Sequence, residues 1–588
     1  MGIPTRRRFE KDASATERKL RRRATRGGNL RAFPFAIGLT ATTLNALSCD
    51  PSDFTVVPEF QPPPPNGPPP NGWLPNGPSS KAIVVSSSVP GYLPATYRAA
   101  LECPLPRLVN KSAGRKILPP FETDVDPAGR VASYQPTGPT DVAANAFFKP
   151  LGTNGRACIT CHVPSDAMSV SAQDIRRRFR RTGGTDPIFA PVDGANCPNA
   201  VEPEATSAAP VGGAVGEGAA AFETAHSLLL NRGLFRIFLP VPAHTEFTIH
   251  VVSDPYGCNT NPSYATKTDP RTSAPTRVIS VYRRPRPATN LKFVIATRPA
   301  PGVASDQGAE PEPAESNIMW DGREPQLESQ AVDATLTHAQ AVASPTDDEV
   351  AQIVAFSRGI YSAQIFGTDT HSLTDLGALG GPDFLATVTP PSDAGSRPFA
   401  LFDAWKSLSA DADQHFERES VFRGQEIFDS RTFVISDVAG INDVAFARNP
   451  QIEGTCATCH SQRGAGTDAL PGAQLDVGIG GDAEGRGGPP PSAELPVFRL
   501  VCKKGKDTGF HGAVVLTNDP GKALITGKCA DIGRFTVAPL RGLAARAPYF
   551  SDGSAKTIFD VIEFYDRRFD IGLSAQDKTD LAHFLMSL

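Results

Sequence analysis

A chain of 588 residues is long enough for roughly two to four domains and far exceeds what a single core needs. Its formal net charge of −4 leaves no electrostatic footprint for a nucleic-acid partner. With 56 prolines, 52 glycines and four methionines, much of it is expected as loop, with helices confined to particular segments.

In chain order, residues 1–31 are strongly basic, with Arg6-Arg7-Arg8 and Arg21-Arg22-Arg23, and have no apolar period. Residues 33–48 form an apolar run too short to span a bilayer but about right for the core of a secretory signal. The run ends at Cys49-Asp50 and resembles a bacterial lipoprotein signal, with Ala46 where a leucine is usual. On that resemblance residues 1–49 are a leader, Cys49 carries a lipid anchor, and the protein is exported, periplasmic or anchored at the outer membrane. The basic stretch is long enough to accommodate a start downstream of Met1. Residues 50–80, ending in FQPPPPNGPPPNGWLPNGPSS, read as an extended tether between anchor and folded body.

The first folded region is expected over 81–405. Residues 141–150 read as a short amphipathic helix, with Phe147 and Phe148 as core candidates, leading into Cys158-Ile159-Thr160-Cys161-His162. Two thiols three residues apart can add to the two vinyl groups of a haem, and the histidine that follows is placed to ligate its iron. A redox Cys-x-x-Cys pair or half a zinc site would also use such spacing. A second copy, Cys456-Ala457-Thr458-Cys459-His460, weighs against both, since ten cysteines and ten histidines rarely produce two by chance. Two covalently bound c-type haems are therefore expected, attached through Cys158, Cys161, Cys456 and Cys459, with His162 and His460 as iron ligands.

Between the motifs the pattern changes. Over 167–310, residues 175–181 read as a basic helical surface and 219–230 as a helix. Strands are expected at 234–241, 246–252, 277–282 and 291–296. These form either an inserted subdomain or a cover for the haem domain. In an oxidising compartment Cys197–Cys258 and Cys502–Cys529 are the favoured disulfides, leaving Cys103 odd, though the sequence does not settle the connectivity. Residues 316–341 mix loop and helix, and 377–397 form a Gly/Pro connector. The second haem domain is expected over 414–588. A helix at 419–430 precedes the motif, a loop spans 464–492, and two helices at 557–569 and 574–588 close the chain, the last with Ser574 as N-cap. The expected fold is mainly α: two c-type cytochrome domains with long loops and a β-rich insertion in the first.

The sixth iron position decides whether such a haem shuttles electrons or binds an oxidant. Beyond Met1 the chain has only Met168, Met319 and Met586 to fill it with a methionine. Two stretches carry a family resemblance. Phe535-Thr536-Val537-Ala538-Pro539-Leu540-Arg541-Gly542-Leu543, followed by Ala547-Pro548-Tyr549-Phe550-Ser551-Asp552-Gly553-Ser554, is similar to the C-terminal haem domain of the bacterial dihaem cytochrome c peroxidase / MauG family. Trp320-Asp321-Gly322-Arg323 with Leu327 and Gln330 resembles that family's segment between the haems. The likeness covers roughly residues 140–165, 315–345 and 415–588 and leaves the insertion without a counterpart.

The resemblance implies that Trp320 lies between the haems as a relay, against the plainer reading of a tryptophan filling a domain interface. It places Gln330 in the distal pocket of the first haem. Where the family has a proton-handling glutamate this chain has Gln340, and an amide is no general base near neutral pH. His338, two residues earlier, is the candidate for that role, since imidazole is the side chain suited to it near neutrality; the plainer reading is a hydrogen-bonded surface histidine. Tyr565 stands where the peroxidases have methionine and where the MauG branch uses a tyrosine as sixth ligand of the second haem. The plainer reading makes it part of an apolar face with Ile558 and Ile562. His226, His244 and His250 are weaker candidates for resting ligands of the first haem. The family also implies calcium between its domains, near Asn290 and Thr536, but the match is too loose to assign it.

The function this implies is an exported dihaem oxidoreductase, taking hydrogen peroxide or dioxygen at the first haem and electrons from a small redox protein through the second. A homodimer is compatible with it. MauG-like or rubber-oxygenase-like oxidation of a protein or organic substrate is the alternative within the class. A non-catalytic electron-transfer cytochrome is the alternative outside it, and would need a sixth ligand on the first haem, for which Met168 is the remaining candidate.

Overall fold

The computed structural model describes residues 116–200, 217–268, 275–295, 318–389, 398–412, 414–443, 449–461, 466, 474–481 and 488–588. All of them belong to one compact unit, Asn76–Leu588. The expected leader, Cys49, the 50–80 tether and Cys103 lie outside the described residues.

The longer helices stand close to where the apolar periods put them. His415–Ser430 precedes the second motif and packs on the C-terminal helix Ala575–Met586. Ser574 caps the latter by accepting from the Asp577 amide, and Asp577 returns the bond to complete a capping box. Gly424 marks the closest approach of this pair: a Cβ there would lie 2.0 Å from the Asp580 carbonyl oxygen. Around the crossing Phe399, Phe402, Trp405, Val421, Phe584 and Leu585 form the core beneath the second motif. Under the first motif, Leu327–Thr337 and Asp347–Gly359 bury Leu327, Ala331, Ile353 and Val354 against Phe147.

Sheet accounts for more of the structure than a mainly helical reading expects, with six sheets among the described residues. The largest is antiparallel, in the order His371–Ser372, Tyr361–Gly367, Gly129–Tyr134, Phe121–Asp126. Within the 167–310 segment, Phe235–Pro240 and Thr266–Thr268 flank Pro275–Arg283. The strand Phe247–Ser253 leaves that group and pairs antiparallel with Val497–Cys502 of the second half, which pairs in turn with Val514–Thr517. Phe247, Ile249 and Val281 share one core with Phe498, Leu500 and Ile532. The segment is thus neither self-contained nor a cover for the first domain alone: it is sewn into the second. The disulfides Cys197–Cys258 and Cys502–Cys529 both form.

Three local expectations are corrected. Residues 141–150 are not a helix: after the strand Thr140–Asp141 there is one 3₁₀ turn, Ala146–Phe148, capped by Asn145. Pro150 disfavours helical backbone at Lys149, which is extended at φ −97°, ψ 138°. The strand expected at 291–296 does not form over its described part, 291–295, since Asn290 turns the chain at φ 61° into the helical turn Leu291–Val294. The helix expected at 219–230 is broken at His226 into Glu217–Ala225 and Ser227–Arg232. The connector at 377–397 also contains a short helix, Pro382–Thr387, with proline in its first turn.

Candidate haem sites

Both Cys-x-x-Cys-His motifs are built alike. Each begins as a single 3₁₀ turn, Cys158–Thr160 and Cys456–Thr458. In each the threonine hydroxyl closes the turn, accepting from the Ala157 amide at 3.0 Å and the Thr455 amide at 2.9 Å. The His162 amide then bonds the Cys158 carbonyl and the His460 amide the Cys456 carbonyl, both at 3.0 Å. The shared threonine therefore explains why two distant stretches fold to one shape.

Each turn opens onto a large cavity, about 1530 Å³ at the first motif and about 1600 Å³ at the second, including their mouths. Cys158, Cys161 and His162 line the first; Cys456, Cys459 and His460 line the second. The four thiols are unbridged. Burial pushes Cys158 up to about 12 and Cys456 up to about 12, and also raises Cys161, to about 11. A redox pair needs a thiol activated in the opposite direction, so that alternative is disfavoured. Among the described residues no group of three or more His, Cys, Asp or Glu side chains is placed to hold a metal ion.

Haem fits these cavities on direct grounds. His162 Nδ1 lies 3.0 Å from the Met168 carbonyl oxygen, and His460 Nδ1 lies 2.6 Å from that of Gly466. A carbonyl only accepts, so Nδ1 carries the proton and Nε2 the lone pair, the tautomer an iron-binding histidine requires. Burial lowers the His162 pKa, which keeps the ring neutral. Two unbridged thiols, a correctly tautomerised imidazole and apolar walls including Phe147 and Leu291 at the first cavity, or Phe428 and Leu585 at the second, are what a covalently attached haem needs.

Trp320 lines both cavities. Its Nε1 donates to the Arg284 carbonyl at 2.7 Å, its own carbonyl accepts from the Thr536 amide at 2.9 Å, and the Arg286 guanidinium stands 5.4 Å above its ring. Arg284, Pro285, Pro287 and Pro539 complete the shared wall. Gln330 and His338 line the first cavity from Leu327–Thr337 and its C-cap. Tyr565 lines the second from Ile558–Phe569, packed by Phe550, Phe564 and Phe569; its hydroxyl makes no hydrogen bond to any described residue. Burial, reinforced by the neighbouring Cys459 and Cys456, pushes its phenol well above the ordinary range.

Other expected residues fall elsewhere. Gln340 is exposed outside the cavity: a left-handed backbone, φ 56°, turns it away after the helix. Its carbonyl accepts from the Thr153 hydroxyl at 3.0 Å, so its role is to hold the 152–154 loop. His226 is buried between the Phe222 and Phe189 carbonyls, at 2.9 and 3.0 Å, while His244 and His250 are exposed; none lines a cavity. Met168 is buried in the core beside the first motif, and the methionine that does line the first cavity is Met319. Asn290 and Thr536, the residues nearest the expected calcium position, both have protein partners. The Asn290 amide is used on both sides by the Ser362 main chain, and the Thr536 hydroxyl meets the cationic Arg286 and the Met319 carbonyl.

Sequence reasoning missed Asp193 and Arg156, which line the first cavity and contact each other and His338. No periodicity singles out Asp193 in its irregular loop; only the fold brings it there. No family model matches the chain, and no curated protein matches it. Among solved structures it is similar to a MauG-like protein associated with microbial copper homeostasis, at 17% identity over 51% of this chain and 82% of that one, with a TM-score of 0.21, too slight a likeness to assign a fold or a function.

Proposed function

We propose that this protein is an exported dihaem c-type oxidoreductase that reduces hydrogen peroxide at the first cavity with electrons delivered through the second. The observation that carries the reading is a pair of alike Cys-x-x-Cys-His turns, each opening onto a large cavity, with Trp320 in the wall that the two cavities share. Haem iron would supply the redox chemistry that no side chain here provides. The two halves are read as c-type cytochrome domains, and the two disulfides fit an oxidising compartment such as the periplasm.

The protein's own part is positioning and proton handling. His162 and His460 would hold the iron, their rings fixed by the Met168 and Gly466 carbonyls. Gln330, Met319 and His338 line the first cavity, where Gln330 can hold the oxidant by hydrogen bonds and His338 can accept and return a proton. Overall, peroxide takes two electrons and two protons to give two waters. The electrons come from a small redox protein, and Trp320 lies on their path between the cavities. A MauG-like oxidation of a protein or organic substrate is the second reading. It is favoured by Tyr565, which lines the second cavity with His460, has a hydroxyl that bonds to no described residue, and would as a phenolate hold the second iron in an oxidised state.

The test is peroxide consumption by the haem-loaded chain with a reduced small redox protein. Two thioether-linked haems per chain and peroxide-dependent oxidation of the donor are expected. Absence of covalent haem, or a loaded protein inert to peroxide, would refute the reading.

A further inference from the structure

His338 is held at more points than a surface histidine needs. Its Nδ1 lies 2.5 Å from Asp193 Oδ2, and its carbonyl accepts from Asn154 Nδ2 at 2.7 Å and Arg156 Nη1 at 3.3 Å. The other Asp193 oxygen is paired with Arg156. Arg156 is fixed in turn by the Pro187 and Ile188 carbonyls, both at 2.8 Å. The Asp193 and Arg156 side chains are 0% and 3% exposed, against 31% for His338, whose ring lines the first cavity. A buried carboxylate on one nitrogen of an imidazole leaves the other nitrogen to the cavity, the arrangement that orients a histidine for proton transfer. Burial alone would raise the Asp193 carboxyl, but Arg156 and His338 outweigh it and hold it below the usual range, so it stays charged.

The origin of these residues gives the arrangement its meaning. Arg156 sits two residues before the first haem-attachment cysteine, His338 ends the helix that also carries Gln330, and Asp193 comes from the 167–310 segment, the part of the chain without a family counterpart. The segment therefore does more than cover the cavity.

We propose that Asp193 is a positioning residue: pinned by Arg156, it holds His338 so that Nε2 faces the first cavity and serves as its proton acceptor and donor. The inference rests on the reading of that cavity as the oxidant site. In the step it serves, peroxide gives one proton to His338 Nε2, and His338 returns it to the departing oxygen as the O–O bond breaks, so that oxygen leaves as water. The other oxygen leaves as a second water with two protons from solvent and the two electrons that the reduced small redox protein would deliver through the bound haems. The charged groups facing this histidine are Asp193 and Arg156 in contact and His162 at longer range, with Lys149, Arg283, Arg286 and Arg323 on the same walls.

Hydrogen cyanide probes this independently of turnover, because it must lose its proton to bind ferric iron. In the haem-loaded protein, Asp193→Asn should slow cyanide association and peroxide reaction by about 10²-fold. It should also change the acidic limb of the cyanide profile, because the carboxylate that orients the imidazole is gone. Asp193→Glu, which restores the charge, should keep the limb at its original pH with a smaller loss of rate. His338→Ala should abolish the limb, Asp193→Asn should then add no further loss, and Gln340→Glu, outside the cavity, should not restore it.

A wild-type profile in Asp193→Asn, or an equal loss with and without His338, would overturn the proposal. So would a low-spin first haem that becomes high-spin in His338→Ala, since His338 would then be an iron ligand. A wild-type protein that binds cyanide but is inert to peroxide refutes the oxidant reading and its proton step together, whereas a reactive wild type with an unchanged Asp193→Asn refutes only the role of Asp193.

Discussion

Tyr565 presents a half-buried phenol, packed by Phe550, Phe564 and Phe569, whose hydroxyl bonds to no described residue. It lines the second cavity, so iron held there could use that hydroxyl. Tyr565→Phe should therefore alter the absorption and resonance Raman spectra of the second haem and raise its potential, because a phenolate favours oxidised iron. The folding free energy should change by less than about 0.5 kcal/mol, since no protein hydrogen bond is lost. An unperturbed second haem would leave Tyr565 as only a face residue beside Ile558 and Ile562. The sequence made this residue visible through the resemblance of residues 535–554 to a family whose branches have methionine or tyrosine at this position. It could not do so for Gln340, where a left-handed residue after the helix turns the side chain outward, or for Asp193, whose partners lie 37 and 145 residues away.

Among the elements, what was legible followed periodicity and length. His415–Ser430 and Ala575–Met586 repeat their apolar positions over several turns and were read close to their true bounds. The short pieces were not, because three or four residues cannot declare a period: Ala146–Phe148 and Leu291–Val294 are single turns set by Asn145, Pro150 and Asn290. The long helix pair makes a sharp prediction of its own. A methyl group at Gly424 would meet the Asp580 carbonyl at 2.0 Å and Phe584 Cβ at 2.7 Å, both across the crossing. Gly424→Ala gains helix propensity but must force the helices apart, so it should destabilise the protein by about 1–3 kcal/mol, seen as a lower thermal midpoint. An equal or higher midpoint would mean that the crossing is looser than drawn.

At the scale of the whole molecule, the 167–310 segment joins the two halves, pairing Phe247–Ser253 with Val497–Cys502 and placing Arg283 between Asp321 and Asp519, both partners buried. Such long-range pairing leaves no local trace, which is why the segment was legible as β-rich but not as a seam. Fold stability is also linked to pH through the sheet. Burial pushes the Asp126 carboxyl to about 7, despite hydrogen bonds from the Ala128 amide and Gln364 Nε2. As pH rises from the ordinary carboxylate value towards 7, the unfolded chain releases this proton while the folded one keeps it, so the folded state loses stability across that window. Asp126→Asn lacks this penalty, and Gln364, whose Oε1 has no partner, can turn over to accept from the new amide. Its stability relative to wild type should therefore improve between pH 4 and 7, by on the order of a few kcal/mol in denaturant unfolding; a constant difference would contradict the buried, protonated carboxyl. One measurement reaches both cavities and the tryptophan in their shared wall: absorption and electron paramagnetic resonance spectra of the diferric protein before and after one equivalent of hydrogen peroxide. The account predicts a high-spin first haem whose signal is lost and a change at the second haem in the same event, slowed in Trp320→Phe. Two low-spin signals indifferent to peroxide would contradict it and leave a carrier of electrons in place of an enzyme.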